Sequence, residues 1–228
     1  MSVRENIALV LQRISSTALK AGRLPEEVEL ICVTKEADVH AIREAISCGI
    51  TDVGENRVQD AISKYTSIGD AVRWHMIGHL QSNKAKPAVE IFHLLHSVDS
   101  LKLMEEMDKH SVRINKIQEI LIQVNVSGEK QKFGIDPQGL NELIMAAPGF
   151  KHIKVVGLMT IAPLVDKQEL ARPFFRRLKQ IADEIRALRI EGVEMRELSM
   201  GMTQDFEVAI EEGSTMVRIG RAIFREGI

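Results

Sequence analysis

The chain is poor in cysteine and in aromatic residues, with two Cys, one Trp, one Tyr and seven Phe among 228 residues. Cys32 lies in an apolar run and Cys48 in a helix-like stretch, too few thiols for a disulfide framework, and no Cys/His spacing matches a zinc site. An excess of charge of one sign is missing as well. The formal net charge is -2 with acids and bases interspersed, which leaves no basic face for nucleic acid and no polybasic segment for anionic lipid. The amphipathic N-terminal stretch MSVRENIALVLQRI carries charges every few residues, so it is neither a signal h-region nor a membrane span. Pro/Gly/Ser-rich linkers and low-complexity tracts are also absent, and the expectation is one domain over residues 1–228, working in a reducing cytoplasm.

What is present is an alternation of short apolar runs with longer amphipathic ones, the pattern of βα units. Ile7, Val10, Leu11, Ile14 and Ala18 share a face at helical spacing, which predicts a first helix over Val3–Ala21. Strand-like runs follow at Val28–Thr34, Thr51–Gly54, Arg73–Ile77, His93–Val98, Ile120–Val126, Val155–Thr160, Glu197–Met200 and Met216–Ile219. Helix candidates at Val39–Cys48, Arg57–Ser67, Asn83–Ile91, Leu101–Lys109, Pro137–Ala147, Lys167–Leu188 and Asp205–Glu212 are each long enough to cross between parallel strands. Runs such as LICV and VVGLM lack an alternating polar face, as strands covered on both sides require. The predicted fold class is α/β, a single (βα)8 TIM-type barrel with an extra N-terminal helix. An open doubly wound sheet is the alternative.

In a parallel barrel the chemistry sits where the strands end. Ile31 to Thr34 lead directly into Lys35, and burial at such a mouth favours the neutral amine, the form that attacks an aldehyde. By position alone, Lys35 reads more readily as the first solvated residue after a strand. Ser199-Met200-Gly201-Met202-Thr203 and Arg218-Ile219-Gly220-Arg221 follow strands seven and eight, where barrels commonly bind phosphate. Glycines let backbone N–H groups approach an anion, the Ser199 and Thr203 hydroxyls can donate to it, and the helix opening after Asp205 favours negative charge at its start. A lysine opposite a phosphate site points to a phosphorylated aldehyde, with pyridoxal 5'-phosphate (PLP) the obvious one. Asn56 could hydrogen-bond an aromatic hydroxyl beside the imine. His75 and His79 lie on a strand and its loop with no acidic third ligand at matching spacing, so no metal is expected.

Taken together, Val33-Thr-Lys35, Val53-Gly-Glu-Asn-Arg57, Trp74-His-Met-Ile-Gly-His-Leu-Gln-Ser-Asn-Lys84, Val124-Asn-Val126, Lys132-Phe-Gly134, Gly157-Leu-Met-Thr160, Ser199-Met-Gly-Met-Thr203 and Val217-Arg-Ile-Gly220 make the chain resemble the pyridoxal phosphate homeostasis protein family nearly end to end. That family is related in fold to the N-terminal barrel of alanine racemases. The resemblance implies a lysine aldimine (Schiff base) on Lys35, Asn56 near the cofactor, phosphate contacts from Ser199, Thr203 and the backbone around Gly220, and Arg218 facing the pyridine nitrogen. Met200 and Arg221 complete the expected cofactor-binding set. Arg221 stands where the family often has a small hydroxyl residue, and it either adds a charged phosphate contact or points away. The usual Ile-Phe-Gly ending appears here as Ile223-Phe-Arg225.

An arginine at the ring nitrogen stays protonated and blunts the ring as an electron sink. Two-sided proton transfer, as in the racemases, needs a second acid/base, and the only tyrosine, Tyr65, falls near the end of a helix that points it away from the mouth. The segment after strand eight also leaves no room for a racemase's second domain. The expected function is PLP binding in intracellular vitamin B6 homeostasis, without committed turnover and with no catalytic residue assigned. Alternatives are a low-activity PLP enzyme such as an amino-acid racemase and, more remotely, a phosphosugar aldolase. Apo PLP-dependent enzymes are the possible partners, and a monomer is what the resemblance implies. Trp74-His75 and Lys84–Lys86 read as barrel packing and a solvated helix in preference to an interaction surface.

Overall fold

The computed structural model describes residues 2–129 and 131–225. Ser2 starts the first helix, α1 (Val3–Lys20), with a reciprocal cap: its hydroxyl accepts from the Glu5 N–H at 3.2 Å, and the Glu5 carboxylate accepts from the Ser2 N–H at 2.8 Å. Ile7, Val10, Ile14 and Ala18 are buried on one face of α1. Leu11, placed on that face by spacing, is exposed.

Eight parallel strands then close on themselves: β1 (Glu29–Val33), β2 (Asp52–Glu55), β3 (Arg73–Met76), β4 (Leu94–Val98), β5 (Gln118–Gln123), β6 (Ile153–Met159), β7 (Val193–Met202) and β8 (Met216–Ile219). Pairing of β1 with β8, Ile31 opposite Arg218, seals the barrel and removes any free edge, so the open sheet does not form. Helices α2 (Val39–Ser47), α3 (Val58–Ile68), α4 (Ala85–Ile91), α5 (Leu101–Arg113), α6 (Leu140–Ala146), α7 (Arg172–Leu188) and α8 (Phe206–Glu211) follow β1 to β7 in turn, and a short α9 (Arg221–Phe224) follows β8. This is the expected barrel with its extra helix.

Most strands shift by one or two residues from their predicted bounds, and β5 and β7 depart furthest. β5 begins two residues earlier than predicted, at Gln118, whose buried NH2 group donates to the carbonyls of His93 and Glu119. It also ends earlier, since Ile135 returns to pair with the chain at Gln123 and Asn125. β7 is longer at its start, where Arg196 and Glu194 form ion pairs on the exposed lower rim.

The barrel interior is divided. Ile31, Leu94, Leu121, Val156, Met159 and Met216 form a small apolar cluster, separate from the larger core between strands and helices. The rest of the interior is polar, with Asp52, His75, His96, Ser199 and Arg218 all buried. Trp74 points outward into the helical layer, buried, with its Nε1–H donating to the Gly69 carbonyl at 3.0 Å. It is packing, as predicted.

Candidate functional site

The carboxyl ends of the strands surround a cavity of about 560 Å³. Lys35, Asn56, Thr203, Arg218, Gly220 and Arg221 all border it. Residues far apart in the chain are thus gathered at one mouth by strand order alone. Ser199 and Met200 are not among them: Ser199 is buried inside the barrel, and Met200 lies in the core between strands and helices.

The backbone entering Lys35 is clamped. Lys64, reaching over from α3, donates to the Thr34 carbonyl and to Glu55 Oε1, each at 2.7 Å, while the Thr34 hydroxyl donates to the same Glu55 oxygen at 2.6 Å. Glu55 is fully buried, so its charge needs this lysine. The Lys35 side chain itself is exposed. The expected dehydration of its amine is therefore corrected by the structure: a strand end at an open mouth carries its side chain into water.

Arg218 is the opposite case, a buried guanidinium on the cavity wall. It donates to Ser199 Oγ at 2.5 Å and to the Thr160 carbonyl at 2.9 Å. Both partners are neutral oxygens. Burial draws this group down to about 10, against the opposing charge of Asp205. A buried cation with only neutral partners suits an electron-rich ligand atom.

The turn after β7 is shaped by Gly201, whose φ of 93° lies in the left-handed region and whose Cβ would stand 2.6 Å from that of Ala209. Asp205 accepts from the Met202 N–H at 2.6 Å and occupies the N-cap of α8 with a buried carboxyl that burial pushes upward. The Asp205 side chain bonds back to the loop and not to the N–H groups of α8, and Thr203 and the Gly220–Arg221 segment face the cavity. The Ser199 hydroxyl, expected as a donor beside them, lies between His96 and Arg218.

Sequence reasoning gave no cofactor role to His79, Phe133 or Met202, which also line the cavity. The His79 and Phe133 rings stack with centroids 4.1 Å apart and 12° between planes, and His79 Nδ1 lies 3.7 Å from Asp99. Their signal was available, since Ile77-Gly78-His79 ends a strand and Lys132-Phe-Gly134 is a family landmark. Tyr65 donates to Asp70 at 2.7 Å and packs edge-on against Trp74 in the outer layer, away from the cavity lining.

Below Arg218 a chain of hydrogen bonds crosses the barrel. Ser199 Oγ is 2.8 Å from His96 Nδ1, His96 Nε2 is 2.9 Å from His75 Nδ1, and His75 Nε2 is 2.8 Å from Asp52 Oδ1. Arg73 donates to Asp52 Oδ2 at 2.8 Å. At this lower end a second cavity of about 280 Å³ opens among charged groups that pair with one another, Arg73 with Glu29 and Arg196 with Glu119. Although burial pushes the Asp52 carboxyl up, hydrogen bonds from His75, Arg73 and Thr51 hold it well below the usual carboxylate range. Burial holds down His75, against the pull of Asp52, and His96, with the charges of His75 and Arg218 adding to the effect. His93 is lowered likewise by burial.

These shifts set a pH dependence of stability. As pH falls below the ordinary histidine value of 6.5, the unfolded chain takes up protons that His75, His96 and His93 refuse in the fold, so stability falls. Glu29, pushed up to about 7 by burial and by Asp52, works the other way, binding one proton in the fold that the unfolded chain lacks. The two buried histidines carry the effect: His93 is exposed and adds little, while Asp99 and Asp205, raised by burial from a lower ordinary value, act in the same sense as Glu29. The unfolding free energy is expected to drop by about 1 kcal/mol per pH unit below about pH 6.5. Urea midpoints at about pH 5.5 and about pH 7.5 check the sign, and a midpoint equal or higher at the acid value contradicts it.

Comparison with known proteins brings several likenesses. The family described as "Alanine racemase, N-terminal domain" matches residues 10–226. The pyridoxal phosphate homeostasis protein of Aquifex aeolicus is 42% identical over 227 residues, covering 99% of each chain. A crystal structure of an unknown protein from Bifidobacterium adolescentis superposes with a TM-score of 0.92 at 35% identity, covering 97% of this chain and 94% of that one. PipY of Synechococcus elongatus, in a structure with PLP bound, gives a TM-score of 0.81 at 34% identity, covering 98% and 100%.

Proposed function

Because the chain belongs to the alanine racemase N-terminal domain family, and within it to the pyridoxal phosphate homeostasis proteins, we propose that it binds PLP and acts in vitamin B6 homeostasis. PLP, when bound, would supply an aldehyde, and Lys35 would be the amine that holds it. Thr203, Arg221 and the backbone at Gly220 would hold the phosphate, Asn56 would serve the ring hydroxyl, and Arg218 would donate to the ring nitrogen. The observation that carries this reading is the shared cavity: Lys35 and a buried Arg218 with only neutral partners border the same space, beside glycine-lined turns. All of residues 1–228 form this one binding unit, with Met1, Lys130 and residues 226–228 outside the described structure.

The protein carries PLP without committed turnover. A permanently charged Arg218 at the ring nitrogen weakens the electron sink, and Tyr65 is engaged with Asp70 on the outer layer. The exposed Lys35 suits exchange of the cofactor with amines from outside, including the lysines of apo PLP-dependent enzymes. The protein works as a cytoplasmic monomer, a setting in which the free thiols Cys32 and Cys48 stay reduced. His79, 3.7 Å from Asp99 at the same mouth, is the observation favouring a second reading, weak racemase activity.

Borohydride reduction of the PLP-loaded protein is expected to fix one pyridoxyl group on the peptide containing Lys35, read by mass. A label on any other lysine refutes the assignment. Exchange of amino-acid α-protons in heavy water should stay at the rate of free PLP; a faster rate that His79→Gln abolishes favours the second reading.

A further inference from the structure

The polar interior of the barrel carries an inference about Arg218 that rests on the reading of the upper cavity as the PLP site. Its two ends fix its direction. Arg218 can only donate, and the ionised Asp52 can only accept. His75 must therefore donate from Nε2 to Asp52, which leaves its Nδ1 to accept from His96 Nε2. His96 Nδ1 must then accept the Ser199 hydroxyl proton, and Ser199 Oγ accepts from Arg218. With both imidazoles neutral, each ring nitrogen and the Ser199 hydroxyl has a complementary partner. All of these side chains are buried, so water does not compete for the bonds.

We propose that Asp52, His75 and His96 are positioning residues for Arg218: an ordered relay that turns the Ser199 lone pairs toward the guanidinium and thereby holds it against the ring of the bound cofactor. Each bond in such a chain polarises the next, so the anion at the floor makes the Ser199 oxygen a better acceptor at the mouth. Arg218 has no other side-chain partner among the described hydrogen bonds, only the Thr160 carbonyl. Ser199 thus sets the guanidinium's position, and His96 sets Ser199.

Asp52→Asn tests the relay from its far end without changing side-chain shape. Arg73 and Thr51 donate to Oδ2, so the new amide must keep its oxygen there and turn its NH2 toward His75 Nε2. That reverses both histidines and points two donors at Ser199 Oγ. In 15N-labelled wild-type protein without PLP, long-range 1H–15N spectra should show His75 and His96 protonated at Nε2. In Asp52→Asn both should carry the proton on Nδ1. PLP affinity should fall about tenfold, the scale of one weakened charge-assisted hydrogen bond, with a shifted absorption band for the bound cofactor. Should Asp52→Asn fail to fold, Ser199→Ala removes the junction directly and should weaken PLP binding and shift the band while leaving both tautomers as in wild type.

A wild-type Nδ1 proton on either histidine overturns the proposal. So does a tautomer reversal that leaves PLP affinity and band unchanged, or an unaltered affinity in Ser199→Ala. The Lys35 label after borohydride reduction should survive in both variants at saturating PLP. Its absence from wild type refutes the cofactor assignment, whereas the tautomers of the unloaded protein report on the relay alone.

Discussion

Lys35→Ala is expected to abolish the absorption band of bound PLP and to weaken retention of the cofactor by about two orders of magnitude or more, since the effective concentration of a positioned amine is lost. The residual binding comes from the phosphate contacts and Arg218, which the substitution leaves in place. Stability should hardly change. The Lys35 side chain is exposed, and substitutions of that kind usually shift stability by less than about 0.5 kcal/mol. Titration of the variant with PLP, followed by absorbance and by equilibrium dialysis, separates the two effects. A persisting band in a folded variant means that another amine takes the aldehyde.

Gly78→Ala should harm both folding and binding. A Cβ at this position would stand 2.2 Å from the carbonyl oxygen of Asn56 and 2.7 Å from its Cα, both backbone atoms that cannot swing aside. Either the loop after β3 or the one after β2 must move. The Gly78 carbonyl is itself held by the Ser97 hydroxyl at 2.5 Å, so the displacement falls on Asn56. A loss of about 2–3 kcal/mol in unfolding free energy is expected, the scale of an overpacked site, with a weaker affinity for PLP. Urea unfolding and PLP titration of one preparation measure both. A stable variant with wild-type affinity would show that the two loops are not in close register.

The fold was legible because its signals are local. Continuous apolar strands alternating with amphipathic helices prescribe a parallel closed sheet, and β8 matches its predicted bounds of Met216–Ile219. The rim was legible too, because strand ends are sequence positions: Lys35, Asn56, Thr203, Arg218, Gly220 and Arg221 come together as the strand order requires. The interior was not. Arg73-Trp74-His75-Met76 has the alternation of a half-solvated strand, yet His75 turns inward to a histidine from β4 and Trp74 outward to the helices. Nothing local in the chain tells an inward polar residue from a solvated one when the partner is supplied by another strand. The same limit misplaced Ser199, read as a phosphate donor from its motif and found below the mouth. Lys35 erred the other way, since an apolar run leading to a lysine says nothing of how open the mouth above it is.

The clamp that Lys64 and Glu55 place on Thr34 has a thermodynamic consequence. With the peptide just before Lys35 already fastened in the fold, the attachment point has little backbone freedom left to lose when the cofactor arrives. Only the four-carbon stem of the lysine must be ordered, and on departure only that stem is released. Loading and unloading then leave the barrel wall unchanged, a peg seated in rigid masonry, and the heat-capacity change of uptake should be that of a small ligand rather than of a coupled folding event.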